Sequence, residues 1–285
     1  MLSPLAIAAR DLWIHYGVRP ILSRVSFEIR EGDCTAIIGP NASGKTTLLA
    51  ALAGLLSPQH GTIEVFGLPR RTTVEDELRI RRRVCYLPMG PFGPMHLTVR
   101  QGWLAIAELY QRDMAEAFDQ VERLAAAFGL AASLDSPTHS LSTGQQRKTQ
   151  IAGAIMSDAE LLLLDEPFSG GLDPAGIRAL KSILRHLVRE RGRTVVFTIP
   201  VPELIEDLAD QLIVLSDRQI VIDASPSDVM AQVPGVRTLS DALARLAFAE
   251  VDDDVEAYVA SEAAREQSRR GDRAARFADD PADRP

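Results

Sequence analysis

Three observations predict an α/β fold with a parallel sheet at its centre. Between residues 5 and about 222, short apolar runs alternate with longer amphipathic ones, the rhythm of strands interleaved with helices. One compact apolar run, residues 35–38, feeds a glycine-rich turn, after which leucines at 48, 49 and 52 recur with helical spacing. A second run, four leucines at 161–164, stops at Asp165-Glu166-Pro167, as a buried strand does where it reaches solvent.

Taken in order, Val25, Phe27 and Ile29 alternate with polar residues and predict a half-buried strand. The unbroken run at 35–38 predicts a strand covered on both faces. Residues 89–94 are rich in Gly and Pro and predict a loop. From 98 to about 129 the periodicity is helical, with few β-branched residues, which predicts an inserted helical subdomain. Strands are expected at 161–164 and 194–198, with a helix over 175–190 between them. No internal repeat is visible. Beyond about residue 250 the chain turns acidic, then mixed-charge and alanine-rich, with Pro281 and Pro285 near its end. Such a composition buries little apolar surface, so a mobile tail with one fraying helix is expected there. The expected organisation is one main domain over 1–235, its helical portion at about 90–160, and a helical extension with a charged tail over 236–285.

The chain has 285 residues, 46% of them hydrophobic, enough for a sizeable core. Its apolar runs fall far short of the ~20 residues that cross a bilayer, so any membrane role is expected to come from a partner. Residues 1–10 lack the basic leader, apolar stretch and cleavage pattern of a signal peptide, and cytoplasmic residence is expected. Cys34 and Cys85 form no CxxC or Cys/His pattern and are expected as two reduced core thiols. A net charge of −8 opposes a phosphate backbone, so no nucleic acid partner is expected. Arg79, Arg81, Arg82 and Arg83 run against that balance; the cluster suits lipid headgroups, an acidic partner, or simply a solvated edge.

Gly39-Pro40-Asn41-Ala42-Ser43-Gly44-Lys45-Thr46 fits G-x-x-x-x-G-K-[ST] between an apolar strand and an amphipathic helix, the context a phosphate loop requires. Successive N–H groups wrap a phosphate, the helix N-terminus adds partial positive charge, Lys45 reaches the β- and γ-phosphates, and the Thr46 hydroxyl can ligate Mg2+. Thr47 follows as a further nucleotide-site candidate. Only Lys148 and Lys181 accompany Lys45, so an arginine-preferring sequence keeps lysine where a compact charge suits phosphate. Asp165 is a candidate for holding Mg2+, and Glu166 for the general base that polarises the attacking water. Two acids after an apolar run are weak evidence alone and gain force from the phosphate loop.

Between these motifs lies Leu141-Ser142-Thr143-Gly144-Gln145, which resembles the LSGGQ signature of ABC ATPases with Thr143 for a glycine. Without the other motifs an ordinary helix cap at Ser142 or Thr143 would be the better explanation. With them, residues 5 to about 226 resemble the ATP-binding subunit of an ABC transporter. The resemblance implies a P-loop fold of ABC type, with a mixed sheet core, an antiparallel β subdomain and an inserted helical subdomain. It implies ATP and Mg2+ as cofactors, Tyr16 as the adenine-stacking aromatic, Asp173 as the D-loop aspartate, and a signature acting in trans on ATP held by the opposite subunit. A transmembrane permease and a second ATP-binding subunit are the implied partners, on the cytoplasmic face of a membrane. The competing classes are a soluble ABC ATPase acting on nucleic acid or ribosomes and a non-hydrolysing ATP-dependent scaffold.

Three positions depart from the family. Met89 stands where a glutamine contacts Mg2+ and water, and Pro200 stands where a histidine contacts the γ-phosphate, an alignment fixed by Glu203 and Glu206. The stretch from Asp165 to Asp173 is one residue longer than usual, which predicts a displaced Asp173. Methionine is a weak acceptor and proline offers no donor. ATP binding is therefore expected to persist while hydrolysis at this chain's own site is slow, and a heterodimer is favoured over a homodimer. The apolar residues Met89, Phe92 and Met95 are candidates for either the permease-facing groove or core filling.

Overall fold

The computed structural model describes residues 4–90, 92–93, 96–200, 205, 207–247 and 261–262. Expectations for Met95, Glu203, Glu206 and nearly all of 248–285 lie outside those residues.

Two sheets form the scaffold. The strands β1 (Leu5–Tyr16), β2 (Arg19–Arg30), β4 (His60–Val65) and β5 (Leu68–Pro69) make an antiparallel sheet in the order β2-β1-β4-β5. The strands β3 (Cys34–Ile38), β6 (Val84–Leu87), β7 (Leu161–Leu164), β8 (Thr194–Ile199), β9 (Gln211–Ser216) and β10 (Gln219–Ala224) make a second sheet in the order β10-β9-β3-β8-β7-β6. All neighbours in it are parallel except β9 and β10. The sheet is thus mixed, with an antiparallel edge.

Its central strands are apolar on both faces, and the side chains alternate between two cores. Ile37, Leu161, Leu163, Val196 and Ile213 join β1 and β2 and the helix α1 (Lys45–Leu52) on one side. Ala36, Leu162, Leu164, Val195 and Phe197 face the helices on the other. This double burial is why these strands read as continuous apolar runs rather than alternating ones.

The periodic stretch from 98 onward is two helices, α3 (Val99–Leu109) and α4 (Met114–Phe128). Gln111 takes a positive φ of 57° between them, and the Asp113 carboxylate caps the second by accepting from Glu116 N–H. Neither Gly nor Pro marks that break. They pack with α5 (Thr143–Met156) around Trp103, Val121 and Ile151, and Trp103 Nε1 donates to the Thr149 carbonyl at 2.9 Å. Helix α6 (Pro174–Arg189) covers the same face of the sheet. The basic cluster lies on α2 (Val74–Arg83), where Arg79, Arg81 and Arg83 pair with Glu75, Glu77 and Glu160. Helices α7 (Pro226–Gln232) and α8 (Leu239–Ala247) pack against the helical side. Cys34 and Cys85 are buried free thiols.

Candidate functional site

The adjacent parallel strands β3, β8 and β7 bring their carboxyl ends together, where open α/β sheets bind ligands. The loop after β3 leads into α1 through Gly44 at φ 103°, with no side chain capping the helix. A residue with a Cβ would be strained at that φ and would press on Leu22 at 2.7 Å. The first N–H groups of α1 therefore remain available, as anion binding at a helix N-terminus requires. Lys45 is 5% exposed. Its Nζ donates to the carbonyls of Gly39 at 2.8 Å and Pro40 at 3.0 Å, which keeps the ammonium under the loop. Burial lowers its pKa, while Glu166 and Asp165 oppose that shift.

Asp165 follows β7 and is fully buried. Its Oδ1 accepts from Thr198 Oγ1 at 2.7 Å and from Thr46 Oγ1 at 3.2 Å, while Oδ2 is buried without a partner. A buried carboxylate with an unmet oxygen beside a hydroxyl is an all-oxygen donor set that fits Mg2+. Glu166 takes a positive φ of 45°, and its N–H donates to Thr198 Oγ1 at 2.7 Å. One threonine on β8 thus fixes both acidic residues. Backbone strain of this kind clusters at functional sites.

A pocket of about 320 Å3 opens here, lined by Arg19, Asn41, Lys45, Thr46, Met89 and Glu166 together with Ala42, Gly44 and Thr47. Ser43 Oγ is buried without a partner. Of the predicted residues, Asn41, Ala42, Gly44 to Thr47 and Glu166 line this pocket and Gly39 and Pro40 do not, while Met89 joins it at 58% exposure. Pro200 sits half-buried just past the end of β8. Tyr16 is 54% exposed at the end of β1 and does not line the pocket, although it faces Arg19, which does.

Residues 141–145 lie outside this pocket. Ser142 caps α5 in a reciprocal arrangement, its Oγ accepting from Gln145 N–H and its own N–H donating to Gln145 Oε1 at 3.1 Å. A Cβ on Gly144 would lie 2.6 Å from the Gly171 carbonyl oxygen, so the signature-like turn and the loop before Asp173 are in direct contact. Asp173 caps α6 through Gly176 N–H at 2.7 Å and pairs with Lys148 at 3.0 Å. The Gly176 hydrogen bond first, and Lys148 second, lower its pKa.

Two positioning residues escaped the sequence reading. Arg147, 4% exposed, donates to the carbonyls of Pro88 at 3.1 Å, Asp165 at 2.7 Å and Glu166 at 3.0 Å. Burial lowers its pKa against the opposing pull of Asp165 and Glu166. Arg147 gave no signal, because it sits in the polar stretch Gln145 to Gln150 of α5, beside Lys148. Thr198, inside an apolar strand, gave none, because threonine is an ordinary strand residue.

The family model described as ABC transporter matches residues 22–169. The chain is 33% identical over 220 residues to the putative HMP/thiamine import ATP-binding protein YkoD of Bacillus subtilis (strain 168), covering 77% of this chain but only 39% of that protein. It is 32% identical over 257 residues to the zinc transport system ATP-binding protein TroB of Treponema pallidum (strain Nichols), covering 82% and 89%. A solved structure of an ATP binding subunit of an ABC transporter superposes with a TM-score of 0.76 at 26% identity, over 85% of this chain and 99% of that one. With the strand order, the phosphate loop and the paired acids at one sheet edge, these likenesses make the chain a member of the ABC transporter family, an ATP-binding subunit of ABC ATPase type.

Proposed function

We propose that the chain powers a separate transmembrane permease from the cytoplasmic face of a membrane, as one half of a two-fold sandwich with a second, different ATP-binding subunit. No described helix is long and apolar enough to cross a membrane, which fits a division of labour between subunits. Residues 1–235 are the ATP-binding unit in this reading, with the helical portion at about 90–160, and 236–285 are an extension.

The triphosphate lies along residues 39–47, with Lys45 opposite its β- and γ-phosphates and Tyr16 against the adenine. Thr46 and Asp165 are the residues that would hold Mg2+, which would supply charge neutralisation for the phosphates. Glu166 orients the attacking water and takes up its proton. Residues Leu141 to Gln145 serve the nucleotide of the partner subunit, and Asp173 borders the same interface.

Hydrolysis at the chain's own site is slow. The observation that carries this is Met89, whose side chain lines the phosphate-loop pocket with Lys45, Thr46 and Glu166 and brings no strong donor or acceptor. Pro200 removes a second polar contact beside Thr198. Loss of one preorganised group costs on the order of 10²–10³ in rate. The test is hydrolysis by the purified chain, alone and with its co-purified partners. Combining Met89→Gln with Pro200→His is expected to raise the rate of the isolated chain at least ~10-fold. Turnover by the unmodified isolated chain at an ordinary enzyme rate, ~10 per second, overturns the slow-site reading.

A further inference from the structure

Among the described residues that line the phosphate-loop pocket, Lys45 and Arg19 carry positive charge and Glu166 carries negative charge. Lys45 and Glu166 cancel, and the buried Asp165 adds further negative charge close enough to act on Lys45. Without Arg19 the pocket would hold no positive charge in excess, a poor match for a polyanion. Arg19 is exposed, and no described residue pairs with its guanidinium. An arginine that lines a phosphate pocket without a counter-charge of its own is available to a ligand, and its planar fork matches phosphate oxygens.

The local fold fixes where that guanidinium can act. Tyr16 and Arg19 are direct Cα partners across the β1–β2 hairpin, joined through Gly17 at φ 59° and the fully exposed Val18. Such cross-strand partners bring their Cβ atoms to ~5 Å on one face of the ribbon. Pro20 follows at once and restricts Arg19 to extended backbone, so the side chain starts from a set direction. Ile14 opposes Leu22 while His15 opposes Pro20, which leaves Ile21 as an extra residue in β2. A bulge of this kind re-aims a strand beside a site. Here Ile21 lines the pocket with Arg19, and a Cβ on Gly44 would lie 3.3 Å from Ile21 Cγ2. The start of β2 therefore runs against the entry to α1, with Arg19 on the Tyr16 side of it.

We propose that Arg19 is a nucleotide-binding residue that holds the α-phosphate, so that two cations grip the polyphosphate at different points, Arg19 near the nucleoside and Lys45 at the β- and γ-phosphates. This role for Arg19 rests on the proposed placement of the nucleotide with its adenine against Tyr16, which puts the α-phosphate on the Arg19 side of the loop. Hydrolysis leaves the α-phosphate untouched, so the grip acts on ATP and ADP alike. It suits a site that keeps its nucleotide while turning over slowly.

The test is calorimetry on the full chain with Mg-ATP and Mg-ADP, with AMP and adenosine measured as competitors of ADP. Arg19→Met is expected to weaken ATP and ADP binding alike, at least ~10-fold each, the worth of one charge-assisted contact. AMP is expected to lose the same factor and adenosine none. Arg19→Lys, which keeps the charge without the fork, should weaken the three nucleotides less. Because the side chain has no described partner, Arg19→Met should leave the melting temperature of the nucleotide-free chain within about 2 °C of the unaltered one, which separates a lost contact from lost folding. Lys45→Ala, measured alongside, is expected to weaken ATP and ADP but not AMP. If Lys45→Ala weakens ATP while Arg19→Met changes nothing, the role of Arg19 is overturned and the phosphate-loop reading stands; if the unaltered chain binds no nucleotide, both fall. A loss confined to ATP, or a loss of adenosine as large as that of ADP, also overturns the proposal, because it puts the contact on the γ-phosphate or on the nucleoside.

Discussion

Lys45 has no neighbour that can take over its charge in the loop, because the other cation lining that pocket, Arg19, comes from β2 on the antiparallel sheet. Lys45→Ala is therefore expected to weaken Mg-ATP binding at least ~10-fold by calorimetry, the worth of one charge-assisted contact. Thr198 offers a sharper test of positioning. Its hydroxyl donates to Asp165 and accepts from Glu166 N–H, so Thr198→Val leaves the Glu166 N–H unmet and Asp165 Oδ1 with only the longer bond from Thr46. Urea unfolding is expected to show a loss of about 1–3 kcal/mol, whereas Thr198→Ser, which keeps the hydroxyl, should recover most of it. The phosphate loop was legible in the sequence because its spacing is local and its context, strand before and helix after, can be read in one pass. Thr198 and Arg147 were not legible, since each acts on residues far away in sequence and nothing nearby marks the contact.

Among the elements, α5 carries both the signature-like turn and the buried Arg147. Its reciprocal cap at Ser142 and Gln145 was foreseeable from the S-x-x-Q spacing. Ser142→Ala is expected to cost ~1 kcal/mol, measured by thermal or urea unfolding. Gly144→Ala should disturb more than the cap, because its methyl would press on the Gly171 carbonyl at 2.6 Å, a backbone atom that cannot rotate aside. Gly170 and Gly171 both take positive φ, 82° and 85°, so the chain turns through two left-handed residues in succession before Asp173. The core strands announced themselves through double-sided burial. The division of 98–129 into α3 and α4 did not, because the break is made by a capping aspartate and a left-handed glutamine rather than by Gly or Pro.

At the scale of the whole molecule, electrostatic ties cross between elements far apart in the chain. Arg83 on α2 grips Glu160, just before β7, with bonds of 2.8 and 2.7 Å, and those bonds hold the glutamate below its ordinary pKa of 4.5. A carboxylate depressed in the folded state adds stability above its ordinary pKa, and that contribution vanishes as pH falls through the folded value. Glu160→Gln is therefore expected to lower the melting temperature at pH 7, with the gap to the unaltered protein closing as the medium is acidified below about pH 4. The parallel centre was readable from the residues and the mixed sheet only through the family resemblance, but pairings such as Arg83 with Glu160 depend on which strands become neighbours, which no local pattern encodes. Arg147 is the tie of greatest consequence, since its one planar cation is knotted to the peptides just past the carboxyl ends of β6 and β7. A tug on the chain at Pro88 arrives at the two acids through that knot. The Asp165 N–H bond to the Leu87 carbonyl at 2.8 Å is a second tie between the same two strand ends, so a push there reaches the acids by two routes.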